Sequence, residues 1–329
     1  MGHIFANPAR VGCIAATMAA TTLTVAPSGS LAQSRIDDAR SEPRIINGQE
    51  VLAGQGPWAA SLRFQVAPTD ASSTRHICGG SFVSPLLSDD KERVEDWISD
   101  DPNPEWIVTA AHCVVDRSGN LEDKDRLTVF GGARNRTNPD GRGQVQQVVE
   151  IIPHPQFDVE TLENDIALLR LSPPVANSLP ATRRASIRFP APRDTNWINE
   201  PYMSVYAQGW GTTETGSDSL LLKEVQLPVV DRTLCQRKFS IHGEIIGIGM
   251  LCAGFVDGNF DSCQGDSGGP LVYRAEGNIA IPRSPEPVLV GVVSWGIGCG
   301  RADLFGVYTT ASVYRKWAEE AVVAEIGVE

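Results

Sequence analysis

The sequence predicts an all-β fold, a barrel or a sandwich, with one helix at its carboxyl end. Short runs of β-type residues recur from residue 45 onward and are separated by Gly, Pro and Asn. Only residues 312–326 show helical spacing, with Val313, Trp317, Val322 (or Ala321) and Ile326 on one side. The clearest strand runs are Trp106–Thr109, Val145–Ile152, Ile166–Leu171, Tyr202–Ala207, Val225–Val230 and Val288–Ser294.

The composition is that of a folded protein that does not bind nucleic acid. The chain has 329 residues, of which 42% are hydrophobic and 21% charged, enough to bury a large core in one big or two small domains. The formal net charge of −12 opposes binding to a phosphate backbone. The acidity suits solubility and a mild preference for cationic substrates.

Residues 1–32 have the features of a secretory signal peptide. Arg10 is followed by a mostly small and apolar run, 11–25, and then by small residues up to Ala32. The run is short and rich in Ala and Thr for a membrane span, although an uncleaved anchor remains an alternative. Residues 33–44 are polar and predict a short exposed propeptide. We therefore expect a secreted protein, extracellular or periplasmic, without a stable membrane span once the signal is removed.

The cysteines indicate disulfide bonds. Of seven cysteines, Cys13 lies in the predicted signal. The others form an even set, which in an exported chain indicates a disulfide framework whose pairing the sequence leaves open. Zinc is the alternative, but no C-x-x-C pair occurs and the five histidines are scattered. We expect no metal or other cofactor. The remaining cysteines are Cys78, Cys113, Cys235, Cys252, Cys263 and Cys299.

Residues 88–105 form an acidic segment that stands apart from its surroundings. It carries eight acidic residues against Lys91 and Arg93. We expect a solvated surface insertion, a loop or a short helix, with a calcium or partner site as the alternative.

The segment 261–270, DSCQGDSGGP, carries the strongest chemical signal. A serine hydroxyl is a useful nucleophile only when a base takes its proton and fixed donors receive the oxyanion. Glycines on both sides of Ser267 allow a sharp turn that aims backbone N–H groups at one point. The same residues are also ordinary turn chemistry, so the serine needs partners elsewhere in the chain.

His112 and Asp165 are the candidate partners. Each would be unremarkable alone, as a core histidine and as a strand cap. Together with Ser267, in this order, they give a chain that resembles the trypsin/chymotrypsin-like (S1 family) serine proteases, specifically the trypsin-like members. The resemblance runs from Ile45 to the final helix, apart from the acidic insertion. The motifs in family order are IING at 45–48, TAAHC at 109–113, NDIALL at 164–169, GDSGGP at 265–270 and SWG at 294–296.

The resemblance implies two packed six-stranded antiparallel β-barrels with a C-terminal α-helix, over residues 45–329. It implies that Ser267 attacks the substrate carbonyl, that His112 is the general base and that Asp165 orients the imidazole. The N–H groups of Gly265 and Ser267 would form the oxyanion hole.

The same resemblance implies a pocket for Arg or Lys side chains. Asp261 matches the position at the pocket base, where a carboxylate pairs with a cation and disfavours apolar side chains. Ser262 could add a hydroxyl acceptor for Lys. A surface turn is the alternative interpretation of Asp261. The other expected substrate-binding residues are Ser294, Trp295, Gly296 and Gly306.

Activation and disulfide pairing are also implied. Cleavage after Arg44 would free an Ile45 ammonium group, which by resemblance forms a buried ion pair with Asp266. The alternative is that Arg44 is an ordinary linker charge. The family pattern pairs the cysteines as Cys78–Cys113, Cys235–Cys252 and Cys263–Cys299.

Three features depart from familiar family patterns. Arg134 and Arg136 stand where a calcium loop expects acidic ligands, so calcium is not expected there. Phe305 replaces a frequent proline. Asn135 opens a glycosylation sequon.

The expected function is a secreted endopeptidase, a monomer that acts on protein or peptide substrates and meets protein inhibitors. The alternatives are a catalytically silent, protease-like binding protein and a membrane-tethered protease.

Overall fold

The computed structural model describes most of the chain between residues 48 and 326. The described residues are 48–52, 55–66, 73–84, 105–138, 143–172, 186–191, 194, 196–213, 217–262, 264–275 and 287–326. The predicted signal peptide, the propeptide and all of the acidic insertion except Glu105 lie outside them. Of the helices within these ranges, none is both long and apolar enough to cross a membrane.

Strands dominate the described residues. The strands are β1 (Gln49–Glu50), β2 (Ala59–Gln65), β3 (Thr74–Ser84), β4 (Trp106–Thr109), β5 (Leu127–Gly131), β6 (Gln144–Pro153), β7 (Ala167–Leu171), β8 (Ile187–Arg188), β9 (Ser204–Gly209), β10 (Lys223–Val230), β11 (Met250–Ala253), β12 (Pro270–Tyr273), β13 (Val288–Trp295) and β14 (Gly306–Thr310). The helices are α1 (Arg232–Ser240) and α2 (Ala311–Ile326), and 3₁₀ turns span Ala111–Cys113 and Lys124–Arg126.

The strands close into two antiparallel rings. In the first ring β2 pairs with β3 and β5, and the circle is completed through β4, β7 and β6. In the second ring β9 pairs with β10 and β12, and the circle is completed through β11, β14 and β13. Closure pairs every strand of each ring on both sides. The predicted all-β fold with a C-terminal helix is confirmed, and each predicted strand run overlaps an observed strand.

The short strand β8 joins the two rings. It pairs in parallel with β3, where Ile187 lies opposite Val83, and with β13, where Arg188 lies opposite Val288. The Arg188 guanidinium forms a buried ion pair with Asp194, with Nη1 2.5 Å from Oδ2. The connection between the barrels is therefore held by both backbone pairing and charge.

Alternating side chains fill the interior of the first barrel. Leu62, Phe82 and Ile107 are completely buried there. Gly131 faces the Phe82 ring so closely that a Cβ has no room. Burial of each large apolar side chain contributes roughly 1.5–3 kcal/mol, so this packed interior is a main source of the stability of the barrel.

Helix α2 covers the first barrel with a stripe that differs from the predicted one. Tyr314, Ala318 and Val322 are buried, whereas Val313 is 48% exposed. The Tyr314 hydroxyl donates a hydrogen bond to Asn164 Oδ1 at 3.1 Å. The tyrosine, not the neighbouring valine, therefore faces the barrel. The helix itself is confirmed, and of the residues that the spacing places on one side, Val322 is buried whereas Val313 is not.

Helix α1 was not predicted, because its hydrophobic pattern is weak. Only Cys235 and Phe239 are buried, one turn apart. The Asp231 carboxylate caps the helix by accepting a hydrogen bond from the Leu234 N–H at 3.0 Å. A disulfide between Cys235 and Cys252 ties the helix to β11. The cap and the covalent link replace the missing apolar stripe.

Replacing Phe82 with alanine should lower the free energy of unfolding by about 3–5 kcal/mol, because the ring is lost from a closed, packed interior. Val313→Ala removes apolar atoms from a largely exposed site and should change stability by less than about 0.5 kcal/mol. Urea unfolding followed by tryptophan fluorescence, with disulfides intact, measures both. Equal losses would contradict the assigned barrel interior.

Candidate active site

His112 lies in the 3₁₀ turn that follows β4, at the edge of the first barrel. The neighbouring Cys113 is disulfide-bonded to Cys78 of β3, which fixes the turn against the barrel. Cys78, His112 and Cys113 place their ligand-type atoms within 4.8 Å of one another. Two of these three atoms are joined in the disulfide and provide no thiolate, so this cluster is not a zinc site.

Asp165 lies just before β7 and is completely buried. Its Oδ1 accepts a hydrogen bond from the backbone N–H of His112 at 2.9 Å, and its Oδ2 lies 2.8 Å from the imidazole Nδ1. The Ser294 hydroxyl donates to Oδ2 at 2.5 Å, and the Thr309 hydroxyl donates to the Asp165 backbone oxygen at 2.7 Å. The carboxylate therefore fixes the histidine from one barrel with support from the other.

The two groups shift each other's protonation. Burial lowers the pKa of His112, but the charge and the hydrogen bond of Asp165 outweigh it, and the pKa lies above its ordinary value of 6.5. Burial raises the pKa of Asp165, but its interactions with His112 and Ser294 prevail and the pKa lies below its ordinary value. Asp165 is therefore ionised at neutral pH, and its carboxylate holds the proton of the imidazole on Nδ1.

Ser267 is placed by backbone bonds to both barrels. Its carbonyl oxygen accepts from the Gly79 N–H at 2.7 Å, and the Gly268 N–H donates to Val293 O at 2.8 Å. Gly268 has a φ of +79° and lies against Thr109, so a side chain there would be both strained and obstructed. These contacts bring the serine loop beside the strand that leads into His112.

The outer nitrogen of the His112 imidazole, Nε2, lies 3.9 Å from Cys113 Sγ. Among the described residues, no hydrogen bond joins Ser267 Oγ to His112. In enzymes without substrate such bonds are often long and tighten only when the complex forms.

Gly265 presents an unused N–H close to Ser267. Its φ is +85° and a Cβ would lie 3.0 Å from Gly211 Cα, so the conformation and the space both require glycine. Within the described part of the chain, neither the Gly265 N–H nor the Ser267 N–H donates to a protein acceptor. Two such donors on one tight loop can receive an oxyanion.

His76 fixes the Gly265 peptide and was missed in the sequence. Its Nε2 lies 2.9 Å from the Gly265 carbonyl oxygen, and its Nδ1 lies 2.8 Å from Ser61 Oγ. Burial lowers the pKa of His76 to about 4. Because a carbonyl only accepts, the neutral ring carries its hydrogen on Nε2 and accepts the serine hydroxyl at Nδ1. The sequence signal was weak, a lone histidine two residues before Cys78.

Asp261 lies in the second barrel with one oxygen lacking a partner. The residue is 5% exposed, which excludes the surface-turn alternative. Its Oδ2 accepts from the Gly300 N–H at 2.9 Å, whereas Oδ1 is buried without a hydrogen bond among the described residues. Burial raises the pKa of Asp261 to about 7. A cationic group placed against Oδ1 would remove this energetic cost.

The predicted substrate-binding residues near Asp261 have individually defined contacts. A Cβ at Gly306 would lie 2.9 Å from Asp261 Oδ1, and a Cβ at Gly296 would meet no atom closer than 3.5 Å. The Ser262 hydroxyl lies 2.9 Å from Tyr308 Oη. Trp295 packs its ring edge against Phe239 at a centroid distance of 5.2 Å. Of the predicted substrate-binding residues, Gly306 lies directly against the Asp261 carboxylate, whereas Ser294 binds Asp165 instead.

Asp266, directly before Ser267, is buried against the end of β9. Its Oδ1 accepts from the Gly211 N–H at 2.9 Å, and Gly209 and Gly211 leave no room for a Cβ beside the carboxylate. Arg44 and Ile45, the other predicted activation residues, lie outside the described residues.

Two predicted disulfides are present, Cys78–Cys113 and Cys235–Cys252. Cys299 is also disulfide-bonded, and its predicted partner Cys263 lies outside the described residues.

The arginines of the loop after β5 bind backbone oxygens: Arg134 donates to Val51 and Arg136 donates to Ser219.

The other two departures from the family pattern are Phe305 and the sequon at Asn135. Phe305 is buried, 2% exposed. Asn135, which opens the sequon, accepts hydrogen bonds from the backbone and the hydroxyl of Thr137 at 3.0 and 2.7 Å.

Comparison with known proteins places the chain in a family. A family model described as Trypsin matches residues 101–318. The chain is 32% identical over 303 residues to serine protease 56 of Mus musculus, covering 90% of this chain and 41% of that protein. It is 32% identical over 290 residues to the suppressor of tumorigenicity 14 protein homolog of Bos taurus, covering 87% of this chain and 28% of that protein. The chain belongs to the trypsin family of serine proteases, and it spans less than half the length of either relative.

The pKa values of three histidines should rise in the order His76, His154, His112. Burial lowers the pKa of His76 to about 4 and also lowers that of His154, whereas Asp165 raises that of His112. Proton NMR of the imidazole Cε1–H signals in a Ser267→Ala protein measures all three. Asp165→Asn should lower the pKa of His112 and leave the other two unchanged. A His112 pKa below that of His154 in the Ser267→Ala protein would contradict the assigned ion pair.

Proposed function

We propose that this protein is a secreted serine endopeptidase that cuts after Arg or Lys. The observation that carries the proposal is the buried Asp165–His112 pair on the first barrel, beside a Ser267 loop with two unused N–H donors. A charge this deep is retained at a cost of several kcal/mol, and its partners leave the outer imidazole nitrogen free to accept a proton.

In the proposed reaction Ser267 Oγ bonds to the scissile carbonyl carbon while His112 Nε2 takes the hydroxyl proton. The carbonyl oxygen becomes an oxyanion and receives hydrogen bonds from the N–H groups of Gly265 and Ser267. When the C–N bond breaks, the imidazolium gives its proton to the leaving amine, and an acyl-enzyme remains. Water then repeats the sequence: His112 takes its proton, the hydroxide adds to the acyl carbon, and the Ser267 oxygen leaves with the proton returned.

The raised pKa of His112 sets the direction of the pH dependence. Only the neutral imidazole can take the Ser267 proton, so activity falls as the pH drops through the His112 pKa. Because Asp165 raises that pKa, the acidic limb of kcat/KM lies above the ordinary histidine value of about 6.5.

The unpaired oxygen of Asp261 supports the preference for a cationic side chain. An Arg guanidinium or a Lys ammonium would pair with Oδ1, and the hydroxyl of the adjacent Ser262 would add an acceptor for Lys. A Phe side chain would leave the carboxylate buried without a partner, which costs binding energy in the transition state. Gly296 and Gly306 have no side chains, so they would keep the approach to the carboxylate open for a long substrate side chain.

We also propose that the chain is exported and made as an inactive precursor, with a signal over 1–32, a propeptide over 33–44 and the protease domain over 45–329. Cleavage after Arg44 would place the Ile45 ammonium beside the Asp266 carboxylate. Asp266 is 1% exposed, so an ion pair there is stronger than at the surface and orders the loop that holds Gly265 and Ser267.

The protein cleaved after Arg44 should hydrolyse Arg and Lys chromogenic peptides, and Ser267→Ala should lower kcat by about 10⁶ without changing the fold. Arg44→Gln should stay uncleaved and inactive. Edman sequencing of Ile45 and circular dichroism provide the controls. If the wild type with verified Ile45 exposure shows no amidase activity, the silent binding protein replaces the proposed enzyme.

Replacing Asp261 with serine should reduce kcat/KM for Arg substrates by roughly 10⁴-fold, because the buried cation loses its partner, while Phe substrates gain relative to Arg. Asp257→Asn removes the same charge from an exposed site four residues away and should leave the Arg-to-Phe ratio unchanged. Kinetics on paired Arg, Lys, Phe and Ala peptides measure both. Equal rates on Arg and Phe substrates in the wild type would reject the role of Asp261.

A further inference from the structure

The second barrel contains a buried ion pair that the proposed reaction does not use. Glu224 of β10 is 1% exposed. Both terminal nitrogens of the Arg274 guanidinium donate hydrogen bonds to its carboxylate, Nη1 to Oε2 at 2.7 Å and Nη2 to Oε1 at 2.8 Å. The guanidinium also stacks over the Tyr206 ring, 3.7 Å from its centroid. This fork geometry leaves Arg274 with little freedom.

Two glutamines complete the shell around the carboxylate. Gln208 Nε2 donates to Oε2 at 3.0 Å, and Gln49 Nε2 donates to Oε1 at 3.3 Å. Burial raises the pKa of Glu224, but these donors and Arg274 outweigh it and the pKa lies below its ordinary value. A carboxylate has about four acceptor positions, so the shell is complete only when Gln49 is in place.

Gln49 belongs to the first described strand of the chain. In β1, Gln49 lies opposite Glu224 and Glu50 lies opposite Lys223. Both residues of β1 are exposed, so no apolar side chain anchors this strand until Val51, which is completely buried. Among the described residues, which begin at Gly48, the polar link to Glu224 is thus the first side-chain anchor of the chain, and Gln49 follows Ile45 by four residues.

The other side of the network reaches Asp266. Gln208 accepts a hydrogen bond from the Trp58 indole at 3.0 Å and precedes Gly209, whose backbone lies against the Asp266 carboxylate. Glu224 therefore connects the beginning of the mature chain with the wall of the site that its ammonium group would enter.

We propose that Glu224, held by Arg274, is a positioning residue that aligns β1 so that the Ile45 ammonium reaches Asp266. The inference rests on the proposed activation after Arg44 and goes beyond it, since it names the groups that direct the new terminus. Without the Glu224 carboxylate, β1 keeps its backbone pairing but loses the first side-chain anchor within the described residues.

The test measures how well Ile45 is buried in the cleaved protein. Cyanate carbamylates an exposed α-amine, and mass spectrometry of the N-terminal peptide gives the rate. Glu224→Gln should speed carbamylation of Ile45 about tenfold, the factor that weakening of one buried pair brings. The same substitution should lower the apparent kcat, and active-site titration should show an equal fall in the fraction of molecules that form an acyl-enzyme. Gln49→Ala, a change at an exposed residue, should act in the same direction with an intact fold.

Asp194→Asn is the matched control, because it breaks a different buried Arg–carboxylate pair, far along the chain from β1. It should lower thermal stability and leave the carbamylation rate at the wild-type value. If Ile45 is protected in the wild type and equally protected in Glu224→Gln and Gln49→Ala, the positioning role is overturned while activation stands. If Ile45 of the cleaved wild type reacts as fast as a free amine, the activation proposal fails, and this inference fails with it.

Discussion

The burial of the Asp165 charge is the constraint on which the structure depends. A carboxylate without water costs several kcal/mol unless donors surround it, and here the donors come from both barrels. His112 supplies two from the first barrel and Ser294 supplies one from the second. Docking of the barrels and satisfaction of this charge are therefore one requirement, and separation of the barrels would leave the carboxylate short of a partner.

The position of Ser267 depends on the same docking. Its loop belongs to the second barrel, yet its carbonyl accepts from Gly79 of the first. Backbone bonds hold a loop more rigidly than long side chains do, because less conformational entropy is lost for each contact. The glycines at 265 and 268 permit this close approach, and His76 fixes the intervening peptide from the first barrel.

Two of the carboxylates that the second barrel buries, Glu224 and Asp261, have different surroundings. Glu224 is surrounded by Arg274 and two glutamines, and these hydrogen bonds link β10 to β1 and β9. Asp261 keeps one oxygen without a hydrogen bond in the described residues, and burial raises its pKa to about 7. A complete shell is typical of a structural group, whereas an incomplete one is typical of a site that awaits a ligand.

The sequence by itself determined the fold class, the strand runs, the C-terminal helix and the choice of His112, Asp165 and Ser267 as candidate site residues. Local patterns suffice there, because a strand or a Gly-rich turn is encoded by adjacent residues. Tertiary structure alone decided that α1 exists and that Tyr314, not Val313, faces the barrel. It also decided that His76 binds the Gly265 peptide and that Glu224 pairs with Arg274. These features depend on partners distant in sequence, such as Gly265 for His76 and Arg274 for Glu224, and no local pattern encodes a hydrogen bond across the fold.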